Sequence, residues 1–458
     1  MSKNLESAST PGGRRVLVLG GGFGGIYAAL ELEKLKRRHA DMEITLVTRD
    51  NYFLFTPMLP EVAAGELEQS VIINPLRRLL KRVKTFVGTI EAIDLKARQV
   101  VVSHGFDGHT HGLPYDQLVI ALGAGTNFFN LPGVEASSFT IKTLSDAMAI
   151  RNQLITQLEE ANAECAAGAR HPMLTFVVAG GGFAGVETVG GINDFVREAI
   201  HFYPNLRADH LRFILVTPDN VILPELNRKL GVYAQRKLIR RGVEIIMGAR
   251  VSAFKDRVVE LTNGDKISTD TLIWTAGAAQ NQLLAGLPLP QRNGRIMVDE
   301  YLAVEGYPGV WAAGDCANII ASTGAPYPPT AQHALREGRV VAQNVIATLY
   351  GGRKRAFRYR TFGQLAAIGR RTGVASILGF NFSGFMAWWL WRTIYLTKLP
   401  RLEKKVRVAL DWTLDLCFAK DFGCVTPAPL SHQSTRVMRG QADRVSIRGP
   451  LEAVTQHS

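Results

Sequence analysis

The chain has 458 residues, of which 47% are hydrophobic and 20% are charged, and it contains 44 glycines. This length predicts two or three domains, and the apolar content excludes both a disordered chain and a fibrous repeat. The net charge of +13 is concentrated in residues 351–458, which hold 18 Lys and Arg against 6 Asp and Glu. A nearly neutral body with a basic end indicates an anionic partner, either a membrane surface or a nucleic acid.

The cysteines and the first residues limit the compartment. The four cysteines are Cys165, Cys316, Cys417 and Cys424, and no two of them form a CxxC motif. Four thiols are too few for a disulfide scaffold, so we expect them to be reduced and mostly buried. The opening residues, MSKNLESASTPGG, have no apolar core, and we expect no signal peptide there.

The first predicted nucleotide-binding unit is a strand, a glycine turn and a helix. The strand covers Val16–Leu19, the turn carries Gly20, Gly22 and Gly25, and the helix is expected over Ile26–Arg38. In this order the GxGxxG spacing is typical of a dinucleotide site. The first glycine permits the tight turn, the second lets the backbone approach a pyrophosphate, and the third lets helix and strand pack closely.

A histidine-rich segment, SHGFDGHTHG, lies between the predicted strands Val100–Val102 and Leu113–Tyr115. Its candidate metal ligands are His104, Asp107, His109 and His111. A solvated hairpin loop is the simpler interpretation of a polar stretch between two short strands. We therefore expect no metal site in the chain.

The glycine turn recurs 160 residues later, after the predicted strand Phe176–Ala179. Here Gly180, Gly182 and Gly185 take the three glycine roles, and a helix is expected over Val186–Val196. The two copies are too far apart to be halves of one Rossmann fold, so they predict two separate dinucleotide sites.

Each unit ends on a similar strand and turn. Leu118–Leu122 runs into Gly123, and Leu272–Thr275 runs into Gly277 after one alanine. Both apolar runs are short enough for buried strands. We expect these strands to return the chain from one nucleotide domain to the next.

The basic C-terminal region combines aromatic and cationic residues. The uncharged stretch Thr372–Trp391 is long enough to span a bilayer, but glycines and Asn381 interrupt it, so strand, turn and short helix are predicted instead. Trp388, Trp389, Trp391 and Tyr395 suit the headgroup level of a membrane, and Arg401–Lys420 has the basic and apolar faces of an interfacial helix. The alternative is that these aromatics cover the core or a dimer contact. Arg353–Arg355 is interpreted as a solvated linker.

A third glycine turn, in the segment Val310–Ala317 (VWAAGDCA), completes a resemblance to the two-dinucleotide-binding-domain flavoproteins. Three further segments make the chain similar to type II NADH dehydrogenase, the single-subunit NADH:quinone oxidoreductase family. They are Asn51–Pro60 (NYFLFTPMLP), Pro328–Gly338 (PPTAQHALREG) and Ala387–Pro400 (AWWLWRTIYLTKLP). The likeness covers about residues 14–425.

The resemblance implies an α/β fold with two Rossmann-like dinucleotide-binding domains and a C-terminal membrane-associating α/β region. It implies a discontinuous FAD-binding domain over 14–140 and 290–350 and an NAD(P)H-binding domain over 141–289. A membrane-anchoring region follows over 351–425. Residues 426–458 are polar without an apolar period and are predicted to be disordered.

The implied reaction passes a hydride from NADH on the second unit to FAD on the first, and then two electrons to a membrane quinone, without proton pumping. The residues implied for FAD are Gly20, Gly22, Gly25, Thr48, Gly123, Gly314, Asp315 and Ala331. Those implied for the nicotinamide nucleotide are Gly180, Gly182, Gly185, Thr217 and Gly277. The second strand of each unit ends in a threonine, Thr48 or Thr217, where an acid is usual, and Asp50 and Asp219 follow two residues later. NADH is favoured, and NADPH stays open.

Two side chains are proposed for catalysis on this resemblance. Glu187 lies early in the second unit's helix and is expected beside the nicotinamide and quinone pockets; the alternative is an acid that satisfies the helix dipole. Gln332, at the start of a helix expected over Thr330–Leu349, is expected to donate to a quinone carbonyl; the alternative is an ordinary first-turn polar residue.

Other functions stay open at this point. A sulfide:quinone or disulfide reductase needs a reactive cysteine pair, and neither Cys165 nor Cys316 has a partner at a useful spacing. A non-catalytic flavin redox sensor is a further alternative. Nucleic acid is not expected, because no recognition motif accompanies the charge. We expect a peripheral membrane protein on the cytoplasmic face of the inner membrane, bound to anionic lipid, and a homodimer stays open.

Overall fold

A computed structural model describes residues 14–105, 108–417 and 422–423 and shows a mixed α/β fold built on two parallel sheets. The predicted disordered tail, Asp107 and Cys424 lie outside the described residues. None of the described helices is long and apolar enough to cross a membrane. The predicted fold class is confirmed.

The elements follow one another from the first unit to the C-terminal region. In the first unit they are β1 Arg14–Leu19, α1 Phe23–Lys36, β2 Met42–Thr48, β3 Tyr52–Leu54, α2 Leu59–Ala63, α3 Gln69–Ile72, β4 Ile73–Pro75, α4 Leu76–Leu79, β5 Lys84–Val87, β6 Thr89–Asp94, β7 Gln99–His104, β8 His109–Pro114, β9 Gln117–Ile120, β10 Gly125–Thr126 and α5 Val134–Ser137. In the second unit they are α6 Leu144–Ala163, α7 Ala167–Met173, β11 Thr175–Ala179, α8 Phe183–Ala199, β12 Arg212–Thr217, α9 Arg228–Arg240, β13 Val243–Met247, β14 Val251–Lys255, β15 Val258–Leu261, β16 Lys266–Ser268, β17 Thr271–Trp274, β18 Ala278–Ala279 and α10 Gln282–Ala285. The remainder are β19 Gln291–Arg292, β20 Arg295–Met297, β21 Val310–Ala312, β22 Ala317–Asn318, α11 Ala331–Tyr350, β23 Gly363–Ala367, β24 Gly373–Ile377, β25 Phe380–Gly384, α12 Phe385–Lys398 and α13 Leu402–Cys417. Short 3₁₀ helices cover Thr56–Met58, Ile200–Phe202, Ala208–His210 and Gly314–Cys316.

The first parallel sheet has the strand order β21-β9-β1-β2-β5. Its central strand β1 is fully buried from Val16 to Leu19, as expected for an apolar strand covered on both faces. Helix α11 crosses α1 so closely that a side chain at Gly338 would collide with the backbone of Gly24. β21 and α11 therefore return a distant part of the chain to the first unit.

The second parallel sheet has the order β13-β12-β11-β17 and repeats the arrangement. All five residues of β11 are buried, and α8 follows directly after the glycine turn. Both units thus place a glycine turn at the carboxyl end of a central strand, where open α/β sheets bind ligands.

The segments that leave the two sheets pair with each other. β9 and β17 are the predicted return strands, and β10 and β18, which follow them, form a two-stranded antiparallel ribbon in which Gly125 pairs with Ala279. This pairing holds the carboxyl ends of the two sheets close together.

The C-terminal region is an antiparallel sheet, β23-β24-β25, with two helices after it. The predicted sequence of strand, turn and helix in Thr372–Trp391 is confirmed. α12 packs on β24, and β23 contacts α8 of the second unit. This region is therefore packed on the second unit.

Several predicted bounds were wrong by a few residues. α1 and α8 begin three residues earlier than expected, directly after the second glycine of each turn, because helix N–H groups must face the turn. Strands β7 and β8 extend to His104 and from His109, because they pair across to the end of the hairpin. The loop predicted there is consequently shorter. The final helix begins at Leu402, one residue after the predicted start, and residues 418–420 of the predicted segment lie outside the described residues.

Candidate active site

The first glycine turn has the geometry that a bound dinucleotide requires. Gly20 adopts φ +107°, and a Cβ on it would collide with the carbonyl of Ala121. A Cβ on Gly25 would collide with the carbonyl of Gly20, so helix α1 packs directly on the turn. Gly22, by contrast, has no atom within 4 Å of its Cβ position and faces open space. The turn can therefore admit a pyrophosphate at Gly22.

The second turn repeats this division. Gly180 adopts φ +120°, with Thr275 Oγ1 2.5 Å from the position of a Cβ, and Gly185 packs on the Gly180 carbonyl. The Cβ position of Gly182 is 3.4 Å from Glu225 Oε1, an exposed side chain that has room to move. Both predicted turns thus have room for a ligand at their second glycine.

The two threonines at the strand ends pack against these turns. Thr48 lies against Gly21, and Thr217 Oγ1 is 2.5 Å from the Cβ position of Gly181. Thr217 is fully buried, accepts a hydrogen bond from Asp219 N at 3.3 Å and donates one to Asp219 Oδ2 at 3.4 Å. The later acid is therefore held beside the strand end, where a ribose hydroxyl needs an acceptor.

Three more predicted cofactor residues lie on two glycine turns and at one helix start. Gly123 adopts φ +67° with no atom within 4 Å of its Cβ position, and Gly277 adopts φ +78° against the ring of Phe129. Ala331 is the first residue of α11. Gly123 follows β9 of the first sheet, whereas Gly277 follows β17 of the second.

A buried carboxylate supports the predicted Gly-Asp turn. Gly314 adopts φ +77° and its N–H donates to Glu337 Oε2 at 2.7 Å. Burial raises the pKa of Asp315, while Arg295 and Lys142 act to lower it. Burial also raises the pKa of Glu337 to about 7. The hydrogen bond from Gly314 lowers this pKa and offsets burial only in part, and the charge of Asp315 raises it further.

The sequence analysis missed Glu337 and Lys142. Glu337 lies on the buried face of α11, three residues after Ala334 and one before Gly338, and an acid on an apolar helix face is the signal that points to it. Lys142 donates to the carbonyl of Gly125, and burial lowers its pKa. No local motif marks Lys142, because its partners come from other elements.

Glu187 lies in the first turns of α8 and accepts two hydrogen bonds on one oxygen. Ala367 N donates to Oε1 at 3.0 Å, and Trp391 Nε1 donates to the same oxygen at 3.1 Å. Burial raises the pKa of Glu187 to about 8, against the lowering effect of those two hydrogen bonds. The carboxyl is therefore mostly protonated at pH 7, and its second oxygen is the one to hold a proton.

Aromatic and acidic neighbours surround this carboxyl. The ring of Tyr395 lies 4.6 Å from that of Trp391 and 6.2 Å from that of Phe55. Burial raises the pKa of the Tyr395 phenol, and the nearby Glu187 and Glu61 raise it further. The cluster joins the second unit, the segment after β3 and the C-terminal helix α12.

The second predicted catalytic residue, Gln332, is already hydrogen bonded. Its Nε2 donates to Gly363 O at 3.1 Å, and its Oε1 accepts from Tyr359 Oη at 3.1 Å. The amide nitrogen has a second N–H, so one donor is left for a ligand. These contacts hold the Gln332 side chain, at the start of α11, against the first residue of β23.

The aromatic residues that were expected at the membrane headgroup level differ in their exposure to solvent. Trp388 and Trp391 are buried, so their membrane assignment was wrong, because this face of α12 packs on the C-terminal sheet. Tyr395 is only partly exposed and belongs to the Glu187 cluster. Trp389 alone of the three tryptophans is exposed, at 51%.

An exposed apolar stripe lies on α13. The exposed fractions of Leu402, Val406, Leu410 and Leu414, spaced four residues apart, are 76%, 52%, 57% and 53%. Exposed apolar residues continue onto α12 and the hairpin before it, at Leu378, Phe380, Phe385, Met386 and Trp389. Of the apolar residues predicted for this face, Leu410 and Leu414 lie on the stripe, whereas Trp412 is buried.

The histidines and the thiols carry no site among the described residues. His104 and His111 stack with their Nε2 atoms 2.7 Å apart, but within the described ranges no group of three metal-binding side chains is placed to hold an ion. Cys316 is buried, and burial raises its thiol pKa to about 12, so it does not supply a thiolate. Cys165 is exposed and unbonded. Cys165 and Cys316 therefore do not form a reactive pair.

Known proteins share this organisation. Residues 14–338 match the family model described as pyridine nucleotide-disulphide oxidoreductase, and residues 362–421 match the NDH2 C-terminal domain. The type II NADH:quinone oxidoreductase Ndh of Mycobacterium tuberculosis is 32% identical over 431 residues, covering 90% of each chain. The demethylphylloquinone reductase NdbB of Synechocystis is 32% identical over 406 residues, covering 87% of this chain and 95% of that one. The solved structure of NDH2 from Plasmodium falciparum with RYL-552 has the same fold, with a TM-score of 0.83 at 21% identity, covering 90% of this chain and all of that one.

Proposed function

The chain belongs to the pyridine nucleotide-disulphide oxidoreductase family, and within it to the type II NADH:quinone oxidoreductases, and from this premise we propose which of its residues hold each reactant. The resemblance predicted from the sequence is confirmed, and so is the activity, electron transfer from NADH to a quinone. The proposal concerns FAD, the proton donor and the membrane surface.

FAD fits the first unit, residues 14–140 with 290–350. Open space at Gly22 suits its pyrophosphate, and Asp315, beside Lys142 and the Glu337-bonded turn, suits its hydroxyl-bearing arm. When bound, FAD supplies the chemistry that accepts a hydride and passes electrons on to a quinone. The protein's residues position it and exclude water.

NADH is the substrate of the second unit, residues 141–289. Gly182 is accessible for the pyrophosphate, and the Asp219 carboxylate beside Thr217 suits the ribose hydroxyls. An anionic Asp219 also repels a 2′-phosphate, which favours NADH over NADPH. The ribbon of β10 and β18 holds the two units' strand ends together.

Glu187 is the proposed proton donor to the quinone, and its position is the observation that carries the proposal. A carboxyl with a pKa of about 8 lies between the nucleotide unit and the C-terminal region, with its proton retained at neutral pH. Quinone reduction consumes two protons, and a poised acid is suited to deliver one. Gln332 has a donor left to orient a quinone carbonyl.

The lipid surface is the proposed partner of α12 and α13. Their exposed apolar residues adjoin Arg401, Lys405 and Arg407, a combination typical of a helix lying in the interface. A quinone then enters from the bilayer beside Tyr395. We expect the protein to bind at the cytoplasmic face of the inner membrane. Formation of a homodimer stays open.

The membrane assignment is tested by vesicle sedimentation. The variant Val406→Asp/Leu410→Asp places two acids on the stripe and is expected to lose most binding to anionic vesicles. The matched control, Ile239→Asp/Met247→Asp, places two acids at exposed apolar sites outside these helices and should bind normally. Equal sedimentation of the two variants would contradict the assignment.

The cofactor assignment is tested by anaerobic titration of the purified protein. NADH should bleach a bound flavin faster than NADPH, and a short-chain quinone should restore its absorbance. Protein that is purified colourless and fails to bind added FAD would overturn the assignment of FAD to the first unit. Bleaching by NADPH at the same rate would overturn the preference for NADH.

A further inference from the structure

A separate cleft lies on the outer side of the crossing between α1 and α11. It has a volume of about 740 Å³, within the range of about 300–1,000 Å³ typical of ligand sites. Its lining includes Tyr27, Glu31 and Lys34 from α1 and Arg336, Arg339 and Gln343 from α11. The segment from Arg355 to Phe362 covers its remaining side.

The cleft is distinct from the dinucleotide site. Helix α1 begins at Phe23, directly after the glycine turn, and Lys34 lies about 16 Å further along its axis at 1.5 Å per residue. Pyrophosphate binds at the helix start, whereas the cleft follows the later turns of the helix. The proposed FAD, NADH and quinone contacts do not use its lining residues, apart from Tyr359 behind Gln332.

The cleft carries a strong excess of positive charge. Its five cationic side chains are Lys34, Arg336, Arg339, Arg355 and Arg358, and its one acid is Glu31. Glu31 is engaged at one end, where it accepts from Gln343 at 3.1 Å and lies 3.9 Å from Lys34. The guanidinium groups of Arg339, Arg355 and Arg358 have no hydrogen bond or ion pair with any residue that the structure describes.

Aromatic rings hold part of this charge in place. The Arg336 guanidinium lies 4.1 Å from the Tyr359 ring centre and donates to Gln332 O at 2.6 Å. The Arg339 guanidinium lies 5.1 Å from the ring centre of Tyr27. Such stacking leaves the edges of a guanidinium free to bind phosphate oxygens.

The cations of the cleft lie within electrostatic reach of the end of α12. Lys398 ends α12, and its pKa is lowered by burial and then by the positive charges of Arg336 and Arg339. At the rim Phe362 is 60% exposed, which gives an apolar surface next to the cations. A ligand with a phosphate and an acyl chain matches both features.

We propose that this cleft binds the phosphodiester headgroup of an anionic phospholipid, with Arg339 and Arg358 as its principal phosphate ligands. Neither of these two arginines has a direct role in the proposed reaction. The inference rests on the proposed membrane association only for the source of the lipid. A bound headgroup would fix α11, and with it Gln332, relative to the membrane surface.

The test is calorimetric titration of the full-length, FAD-loaded chain with monomeric dihexanoyl phosphatidylglycerol. The parallel titrants are dihexanoyl phosphatidylcholine, glycerophosphoglycerol and inorganic phosphate. We expect phosphatidylglycerol to bind most tightly, and Arg339→Gln/Arg358→Gln to weaken that binding at least tenfold. The matched control Arg37→Gln/Arg38→Gln removes two exposed charges of the same domain outside the cleft and should bind normally.

Each outcome decides for or against the proposal. Equal affinity in the cleft variant and the control overturns the site, and equal affinity for phosphatidylcholine overturns the role of charge. Binding of glycerophosphoglycerol or phosphate as tight as that of the lipid overturns the lipid as the source. If the glutamine pair fails to fold, the single variant Arg358→Gln should still weaken binding several-fold, and an unchanged affinity overturns the site. Val406→Asp/Leu410→Asp, which tests the lipid contact of α12 and α13, should leave this affinity unchanged, so the two assignments fail separately.

Discussion

The replacement Glu187→Gln isolates the titration of the proposed proton donor, because the amide keeps the shape and the acceptor oxygen. Folding raises the pKa of Glu187 from 4.5 to about 8. At pH 7 the unfolded carboxylate must take up a proton on folding, which costs about 3 kcal/mol at about 1.36 kcal/mol per pKa unit. Glutamine has no such cost. The variant is therefore expected to exceed the parent in stability by up to about 3 kcal/mol at pH 7.

The size of this difference in stability changes predictably with pH, and its sign does not. The neutral carboxyl contributes fully below the unfolded pKa of 4.5, and that contribution is lost as the pH rises toward the folded pKa of about 8. The advantage of the variant should accordingly be small near pH 4 and grow across this window. Urea unfolding of the FAD-loaded proteins at several pH values measures it, and a constant difference would refute the neutral carboxyl.

Activity should move in the opposite direction. Removal of a general acid slows the proton-dependent step by about 10²–10⁴-fold, so stopped-flow reoxidation of the reduced flavin by quinone should slow accordingly while FAD content is unchanged. The matched control Glu135→Gln alters an exposed carboxylate on α5 and should behave as the parent. Reoxidation by the Glu187 variant at the parental rate would refute its role.

Three further outcomes are expected. Gly25→Ala forces a collision with the turn and should abolish FAD binding, measured by flavin absorbance, whereas Gly168→Ala on α7 has open space and should not. Trp391→Phe removes a hydrogen bond to Glu187 that favours its charged form, so the pH above which quinone reduction declines should rise by about one unit. Asp219→Asn should raise the KM for NADH about tenfold in steady-state assays and leave FAD content unchanged, and an unchanged KM would remove Asp219 from the site.

The sequence was sufficient for the local features of the fold. A buried strand, three glycines and a helix form within about 20 consecutive residues, so both nucleotide turns and the strands ending at Thr48 and Thr217 were predicted correctly. The third turn at Gly314 and the helix after Pro329 were located for the same reason. In each case the determining contacts are close in sequence.

The environment of Glu187 depends on distant residues, and the sequence did not reveal it. Its hydrogen-bond donors, Ala367 and Trp391, lie 180 and 204 residues away, and burial between them is what shifts its pKa. The same reason explains the error at Trp388 and Trp391: aromatic composition does not show which helix face packs on the sheet. Lys142 and Glu337 were missed because their partners also lie on other elements.

The most direct test of the central claim is an infrared measurement of the protonation state of Glu187. The FAD-loaded protein should show the carbonyl band of a protonated carboxyl at pH 7, and that band should be lost as the pH rises through about 8. The spectrum of the Glu187→Gln variant should lack this band at every pH. A parent spectrum in which Glu187 is ionised at pH 7 would contradict the account.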